Sequence, residues 1–100
     1  MKYTARFPTE SIQKKFSKEL SSLSQPTQDQ VWEAIRCLEN NPRPFGTKIF
    51  KQLKPPVTIF QFVAQYRARV GNYRILYDVD DRRRVVWIFA LRRRNEQTYG

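Results

Sequence analysis

The sequence predicts an α+β domain, in which a twisted antiparallel β-sheet carries an amino-terminal helical hairpin packed on one face, in the order β-α-α-β-β-β. Two patterns indicate this class. Apolar residues recur at helical spacing in the first two fifths of the chain, and they alternate with period two over most of the remainder. The 100 residues predict a single domain, residues 1–100, and 40% hydrophobic content is enough to pack one core.

The first strand is indicated by "KYTARF" at 2–7, which alternates, and the first helix by Pro8-Thr9-Glu10, which is typical of a helix start with Thr9 as its cap. Apolar residues then recur at helical spacing, with lysines on the other face: Ile12, Phe16, Leu20 and Leu23. This segment therefore predicts an amphipathic helix.

The segment "SQPTQDQ" at 24–30 breaks the first helix and begins a second, which is predicted to end at "NNPRP", residues 40–44. Its apolar stripe consists of Val31, Ala34, Ile35 and Leu38. The two helices are expected to form an antiparallel hairpin. Cys37, the only cysteine, is expected to be a buried helix residue, because free cysteines are usually buried.

The second half of the chain predicts three strands. After a short "IFKQL" segment and the Pro55-Pro56 break, residues 57–70 alternate as one strand, Gly71-Asn72 supplies a turn, and 73–79 returns. Residues 80–84, "DDRRR", predict a solvated turn, and "VVWIFAL" at 85–91 predicts the most buried strand. Four aromatic residues of these strands are expected to pack in the core or sheet: Tyr73, Tyr77, Trp87 and Phe89.

Three arginines stand out in this half. Alternation places Arg67 and Arg69 on the same face, and Arg74 lies across the turn from them. If the helices cover one face of the sheet, these arginines line the other, concave and uncovered face. Alternatively they are solubilising surface charge, as most charged strand residues are. The spacing alone leaves both interpretations open.

The net charge points to a polyanionic partner. Nineteen Lys and Arg against nine Asp and Glu give +10, and such an excess attracts nucleic acid, an anionic membrane or an acidic protein. No window approaches the roughly 18 apolar residues that span a bilayer. Met1-Lys2-Tyr3 is not followed by the apolar core of a signal peptide, so we expect a cytoplasmic protein with no membrane partner.

The chain contains no histidine, which excludes a histidine-based nucleophile and the usual zinc sites within it. A single cysteine also excludes an internal disulfide. We therefore expect no metal and no cofactor. Any chemistry must come from Arg, Lys, Tyr, Asp, Glu, Ser or Thr.

The run "YRARVGNYRILYDVDDRRRVVWIFALRRRNEQTY" at 66–99 resembles the RelE/ParE superfamily of toxin–antitoxin toxins. The shared pattern is a Tyr/Lys-Arg strand, a Gly-x-Tyr-Arg turn, an Ile/Val-Tyr-x-(Ile/Val)-Asp strand, an apolar strand and a terminal Arg-rich segment that closes on Tyr. "FKQLK" at 50–54 and the two-helix amino half fit as well. The resemblance covers nearly the whole chain, and "RVGNYRILY" is its sharpest part.

The resemblance implies one of two activities. RelE-like members are ribosome-dependent endoribonucleases that cut messenger RNA, whereas ParE-like members inhibit DNA gyrase and lack the nuclease's basic residues. Matched by position, the RelE-like catalytic set corresponds to Arg67, Arg69, Arg74, Arg93 and Tyr99. Every position is filled by a competent residue, which favours the nuclease. A ParE-like gyrase inhibitor, a non-catalytic antitoxin-binding relative and a generic basic RNA-binding domain remain alternatives.

Two departures from the family bear on the chemistry. Arginine replaces the lysines that relatives often carry at 67 and 69, and a guanidinium binds phosphate well but does not release a proton near neutral pH. The family's carboxy-terminal helix is also not expected here, because only Gly100 follows Tyr99. Tyr99 is then either a base, whose phenolate the neighbouring cations stabilise, or a residue that stacks on a nucleobase.

The resemblance also implies partners. The ribosome is expected to position the message, and the exposed lysines are candidates for contacts to RNA phosphates: Lys14, Lys15, Lys18, Lys48, Lys51 and Lys54. Each lysine is equally consistent with plain surface charge. An acidic cognate antitoxin is expected to neutralise the +10 domain.

Overall fold

The computed structural model describes residues 2–94, which form two helices and a five-stranded sheet. In chain order the elements are β1 (Thr4–Arg6), α1 (Glu10–Ser21), α2 (Gln25–Asn40), β2 (Phe50–Ile59), β3 (Phe62–Val70), β4 (Tyr73–Asp80) and β5 (Val85–Arg93). The predicted α+β class is confirmed. Within these residues, neither helix is long and apolar enough to cross a membrane.

The strand order is β1-β5-β4-β3-β2. Neighbouring strands run antiparallel except for β1 and β5, which pair in parallel with Thr4 opposite Val85. The sheet is therefore mixed, with one parallel pair in addition to the predicted antiparallel strands. Local alternation could not reveal this pairing, because it joins segments from opposite ends of the chain.

The predicted single strand at 57–70 is wrong, because a two-residue turn at Phe60-Gln61 divides it into the end of β2 and the start of β3, with Ile59 opposite Phe62. Phe60 has φ of 57°, a left-handed conformation that is uncommon for a bulky residue and gives no turn signal in the sequence. The "IFKQL" segment and Pro55-Pro56 lie largely in β2, which tolerates prolines because it is an edge strand.

The helices begin as the sequence predicts. The Thr9 hydroxyl accepts a hydrogen bond from the Ile12 amide at 3.1 Å, and Ser24 caps α2 in the same way through the amide of Thr27. The buried residues of the two helices belong to the predicted stripes: Ile12, Phe16, Leu20, Val31, Ile35 and Leu38.

The expected burial of Cys37 is wrong, because its thiol is exposed. The stripe of α2 runs through Ile35 and Leu38, and Cys37 lies beside it, with Sγ 3.8 Å from a carboxylate oxygen of Glu33. A helical turn of 3.6 residues carries position 37 away from the sheet that position 38 contacts.

Both faces of the sheet are packed. Ile75 and Tyr77 belong to a cluster with the helices, whereas Leu76, between them, belongs to a second cluster with Phe89 and with the far end of β2 and β3. Phe62 stacks on Phe89 with ring centroids 5.3 Å apart. The expectation of a fully uncovered face is therefore wrong, because the β2–β3 hairpin covers part of it.

The predicted turns and aromatic packing are confirmed. Gly71 has φ of 57° in the tight turn between β3 and β4, where a left-handed glycine is unstrained. Residues 81–84 form the exposed turn between β4 and β5. Tyr77 and Phe89 are buried, and Tyr73 and Trp87 pack against the two clusters as half-buried residues.

Candidate functional site

Three arginines lie side by side across the adjacent strands β3, β4 and β5. Arg69 is opposite Arg74, and Arg74 is opposite Arg92. Residues directly opposite each other in antiparallel strands point to the same face, and neighbouring strands are about 4.8 Å apart. These residues, which we call the arginine row, therefore stand on one face of the sheet near the Gly71-Asn72 turn.

Arg74 fixes the end of the sheet. A guanidinium nitrogen donates to the carbonyl of Arg94, and the Arg94 amide donates to the carbonyl of Asn72 at 2.6 Å. The turn and the end of β5 are thereby joined around the Arg74 side chain. Its half-buried position follows from these bonds.

A depression of about 390 Å³ opens at this point, and its lining residues are Asn72, Arg74, Arg93 and Arg94. Arg93 is opposite Tyr73, so in the strand register it lies on the opposite face of the sheet from Arg74. Because Arg93 is the last residue of β5 and is exposed, it still reaches the depression. Of the predicted catalytic residues, Arg74 and Arg93 are thus brought together.

Arg67 has a different environment. Alternation on β3 places it on the face of Arg69, as predicted, but it is only 9% exposed. Its Nη1 donates to the carbonyl of Ile49 at 2.9 Å and to that of Lys48 at 3.5 Å. The guanidinium therefore anchors the segment that leads into β2. A catalytic role for Arg67 stays a prediction.

Arg69 is half-buried, and its Nε is enclosed with no hydrogen-bond acceptor among residues 2–94. A buried guanidinium N–H without an acceptor is costly, so an anion that reached it would be stabilised. Within the described residues, neither Arg69 nor Arg92 pairs with a carboxylate. The ion pairs there involve four other cations: Arg43, Arg83, Arg36 and Lys14.

Sequence reasoning missed Arg92. Strict alternation through Phe89 and Leu91 places Arg93 on the face of Arg74, but β5 contains one extra residue, which shifts the register between Leu76 and Tyr77. Ile88 is opposite Tyr77, and Ala90 is opposite Leu76. No residue in "VVWIFALRR" is typical of a bulge, so only the strand pairing shows that Arg92 is opposite Arg74.

The six predicted lysines are all exposed, and they form two groups. Lys14, Lys15 and Lys18 lie on α1, where Lys14 pairs with Glu10 at 3.5 Å and Lys15 lies over the Phe60 ring at 5.2 Å from its centroid. The second group lies on β2 and just before it: Lys48, Lys51 and Lys54. Their contacts to RNA stay predictions.

A groove of about 490 Å³ separates α1 from β5 and the β2–β3 turn. Lys15, Lys18 and Arg92 line it together with the exposed ring of Phe60 and buried apolar residues of the sheet. Arg92 thus belongs both to the arginine row and to this groove.

A second polar cluster lies at the opposite end of the sheet. Arg43 donates two hydrogen bonds to the Asp81 carboxylate, at 2.8 and 3.0 Å, and its Nε donates to the Tyr66 hydroxyl. The bond from Arg43, followed by that from the Tyr3 hydroxyl, lowers the pKa of Asp81 to about 2. The charges of Arg43 and Asp81 neutralise each other, and these bonds join the segment after α2 to the β4–β5 turn and to β3.

Tyr99 lies outside the described residues, so its predicted position in the site is untested. Among residues 2–94, no group of three or more His, Cys, Asp or Glu side chains is arranged to hold a metal ion.

Comparison with protein families identifies the family to which the chain belongs. Residues 2–98 match the model of the ParE toxin of the type II toxin–antitoxin system parDE. The chain belongs to the RelE/ParE toxin superfamily. It is therefore a toxin of a type II toxin–antitoxin module, with a cognate antitoxin as its partner. A search of curated proteins found no match.

Solved structures of RelE/ParE toxins share this fold. The archaeal RelE–RelB complex of Pyrococcus horikoshii is 26% identical, with a TM-score of 0.71 over 96% of this chain and 99% of that one. The RelBE2 toxin–antitoxin complex of Mycobacterium tuberculosis is 27% identical, with a TM-score of 0.65 over 94% and 100%. A mutant of Escherichia coli RelE in the free state, at 17% identity and a TM-score of 0.53 over 95% and 86%, shows the fold alone.

Proposed function

We propose that this toxin is a ribosome-dependent, metal-independent endoribonuclease that cleaves messenger RNA in the cytoplasm and so inhibits translation. The observation that carries the proposal is that Arg74 and Arg93 line one depression, with Arg69 on the next strand. A cluster of guanidiniums at one end of a sheet is suited to a phosphate group and to the negative charge that it gains in a transition state.

The proposed reaction is attack of a ribose 2′-oxygen on the adjacent phosphorus. The 2′-hydroxyl proton leaves to a base, the new P–O bond closes a 2′,3′-cyclic phosphate, and the bond to the 5′-oxygen breaks, with protonation of that oxygen. Arg69, Arg74 and Arg93 stabilise the extra charge on the phosphoryl oxygens. Tyr99 serves either as the base or as a stacking residue, and Arg67 supports the site through the segment before β2.

The ribosome supplies the positioning that a domain of this size lacks. A ribosome-bound message is held in place by ribosomal contacts, so the toxin needs mainly charge to reach it. The exposed lysines on α1 and near β2 are proposed to contact ribosomal RNA phosphates. We therefore expect purified toxin to cleave free RNA poorly.

The test is induction of the toxin in cells, followed by mapping of messenger RNA 5′ ends. Codon-phased cuts are the expected result. Arg74→Ala or Arg93→Ala should lower the cleavage rate on purified ribosomes by roughly 10²–10³, which is the scale of losing one preorganised donor. Arg82→Ala, in the exposed β4–β5 turn, is the matched control and should cleave normally. Equal and small losses in all three variants would refute the catalytic assignment.

Tyr99→Phe separates the two roles of the tyrosine. A stacking residue keeps its ring and most of its activity, whereas a base loses its reacting oxygen and should lose roughly 10² or more in rate. The measurement is single-turnover cleavage on programmed ribosomes.

A second candidate is inhibition of DNA gyrase, because the family model that matches this chain is that of the ParE toxin. This activity requires no convergence of arginines. DNA damage after induction, without messenger RNA cuts, would support it and would contradict the nuclease proposal. Absence of both effects would indicate a relative that only binds its antitoxin.

A further inference from the structure

The bulge in β5 decides which arginine joins the arginine row. Phe89 is the extra residue between the pairs Tyr77–Ile88 and Leu76–Ala90, and both Phe89 and Ala90 face the second cluster. A shift of one residue exchanges the two faces of a strand. Without the bulge, Leu91 would be opposite Arg74 and Arg93 would only share its face; with the bulge, Arg92 is directly opposite Arg74.

The arginine row places like charges directly opposite each other on two pairs of strands, Arg69 with Arg74 and Arg74 with Arg92. Like charges in this position destabilise a sheet. Arg92 is also half-buried, and within residues 2–94 it pairs with no carboxylate. A bound polyanion that spans the row would offset this repulsion.

The groove beside Arg92 continues the positive surface away from the row. Lys15 and Lys18 line it with Arg92, and among residues 2–94 Glu19 is the one acidic residue in its lining. Phe60 is 61% exposed at its rim, with Lys15 over the ring. Cations beside an exposed aromatic face are the features on which single-stranded nucleic acid is held, by phosphate contacts and base stacking.

We infer that Arg92 binds a phosphate next to the one held at Arg74 and Arg93, and that it leads the RNA strand into the groove between α1 and the β2–β3 turn. This inference rests on the proposed nuclease function, and it names Arg92 as a positioning residue of that site. The groove then takes the nucleotides that continue the strand beyond the scissile bond, with Phe60 as a stacking surface.

The test uses a single-stranded RNA octamer that is methylated at every 2′-oxygen, so that it binds without being cleaved. Its affinity for the purified toxin is measured by fluorescence anisotropy over a range of salt concentrations. Arg92→Gln should weaken binding by about ten-fold or more, the scale of one charge-assisted contact. The slope of log K against log salt should fall by about 0.7, the value for one lost phosphate contact on a single strand.

Arg82→Gln is the matched control, because it removes the same charge from the exposed β4–β5 turn, and it should leave both quantities near those of the wild type. Phe60→Ala should weaken binding without changing the salt slope. Thermal unfolding without RNA supplies a second readout, in which Arg92→Gln should melt no lower than the wild type, since repulsion from Arg74 is removed.

Equal affinities and slopes for Arg92→Gln and Arg82→Gln would overturn the inference, as would a wild type that does not bind the octamer. If Arg92→Gln instead weakens only the binding of the antitoxin, the groove is a protein-binding surface and the inference is wrong. If RNA binding depends on Arg92 but no messenger RNA is cut in cells, the RNA site is supported and the nuclease proposal is refuted. If messenger RNA is cut in cells but Arg92→Gln binds RNA normally, the nuclease proposal is supported and the role of Arg92 is refuted.

Discussion

Replacing Tyr77 with phenylalanine removes one buried hydroxyl and leaves the aromatic ring in place. Tyr77 is fully buried, and its hydroxyl donates to the carbonyl of Pro42 at 2.7 Å. Burial raises the pKa of Tyr77, so the hydroxyl keeps its proton and remains a donor at physiological pH. The bond fixes the segment after α2 to the sheet, ahead of the carbonyls of Lys48 and Ile49 that Arg67 contacts.

The expected loss follows from this geometry. Phenylalanine leaves the buried Pro42 carbonyl without its donor, which costs about 1–3 kcal/mol. Part of this cost is offset because the variant no longer has to bury a hydroxyl group. We expect the free energy of unfolding to fall by about 1–2 kcal/mol. For a domain of this size the melting temperature should then fall by roughly 4–15 °C.

The assay is thermal and urea unfolding, followed by circular dichroism, of toxin that has been separated from its antitoxin and refolded. Tyr73→Phe is the control, because Tyr73 is half-buried and its hydroxyl makes no hydrogen bond within the described residues. It should change the free energy of unfolding by less than about 0.5 kcal/mol. An unchanged melting temperature in Tyr77→Phe, or an equal fall in both variants, would refute the role assigned to this bond.

Three further outcomes are expected. Because its folded pKa of about 2 lies below the ordinary 3.8, Asp81 stabilises the fold fully above about pH 4, and this contribution is lost as the pH falls towards 2. Asp81→Asn should therefore flatten the pH dependence of the urea midpoint between about pH 4 and 2. A variant whose urea midpoint falls with pH in parallel with that of the wild type would contradict the linkage. The +10 charge predicts an acidic antitoxin whose association rate, measured by stopped flow, falls steeply with salt, so a salt-independent rate would be inconsistent. Cleavage on ribosomes should survive chelation of transition metals with magnesium retained, and recovery of lost activity by zinc or manganese alone would refute the mechanism.

Local features of the sequence predicted local features of the fold. Thr9 caps α1 and Gly71 turns the chain between β3 and β4, because capping and left-handed turns are decided by neighbouring residues. Phe16 and Val31 are buried because helical spacing alone places them on the packed faces.

Features decided by distant pairing were not predictable in this way. Phe60 occupies a turn position that a bulky residue rarely takes, so the alternation at 57–70 continues through the turn without a break. The same limit applies to the site. Arg74 follows a recognisable turn and was placed correctly near the sheet end, whereas the carbonyl partners of Arg67 and the entry of Arg92 into the row depend on the strand partner and on the bulge at Phe89.

The parallel pairing of β1 with β5 also governs the order in which the chain can fold. β5 lies between β1 and β4, so neither the amino-terminal strand nor the helix-facing core is complete until the last strand has been synthesised. Contacts between such distant segments form slowly. We therefore expect the sheet and the arginine row to be complete only after β5 has left the ribosome, late in the toxin's own translation.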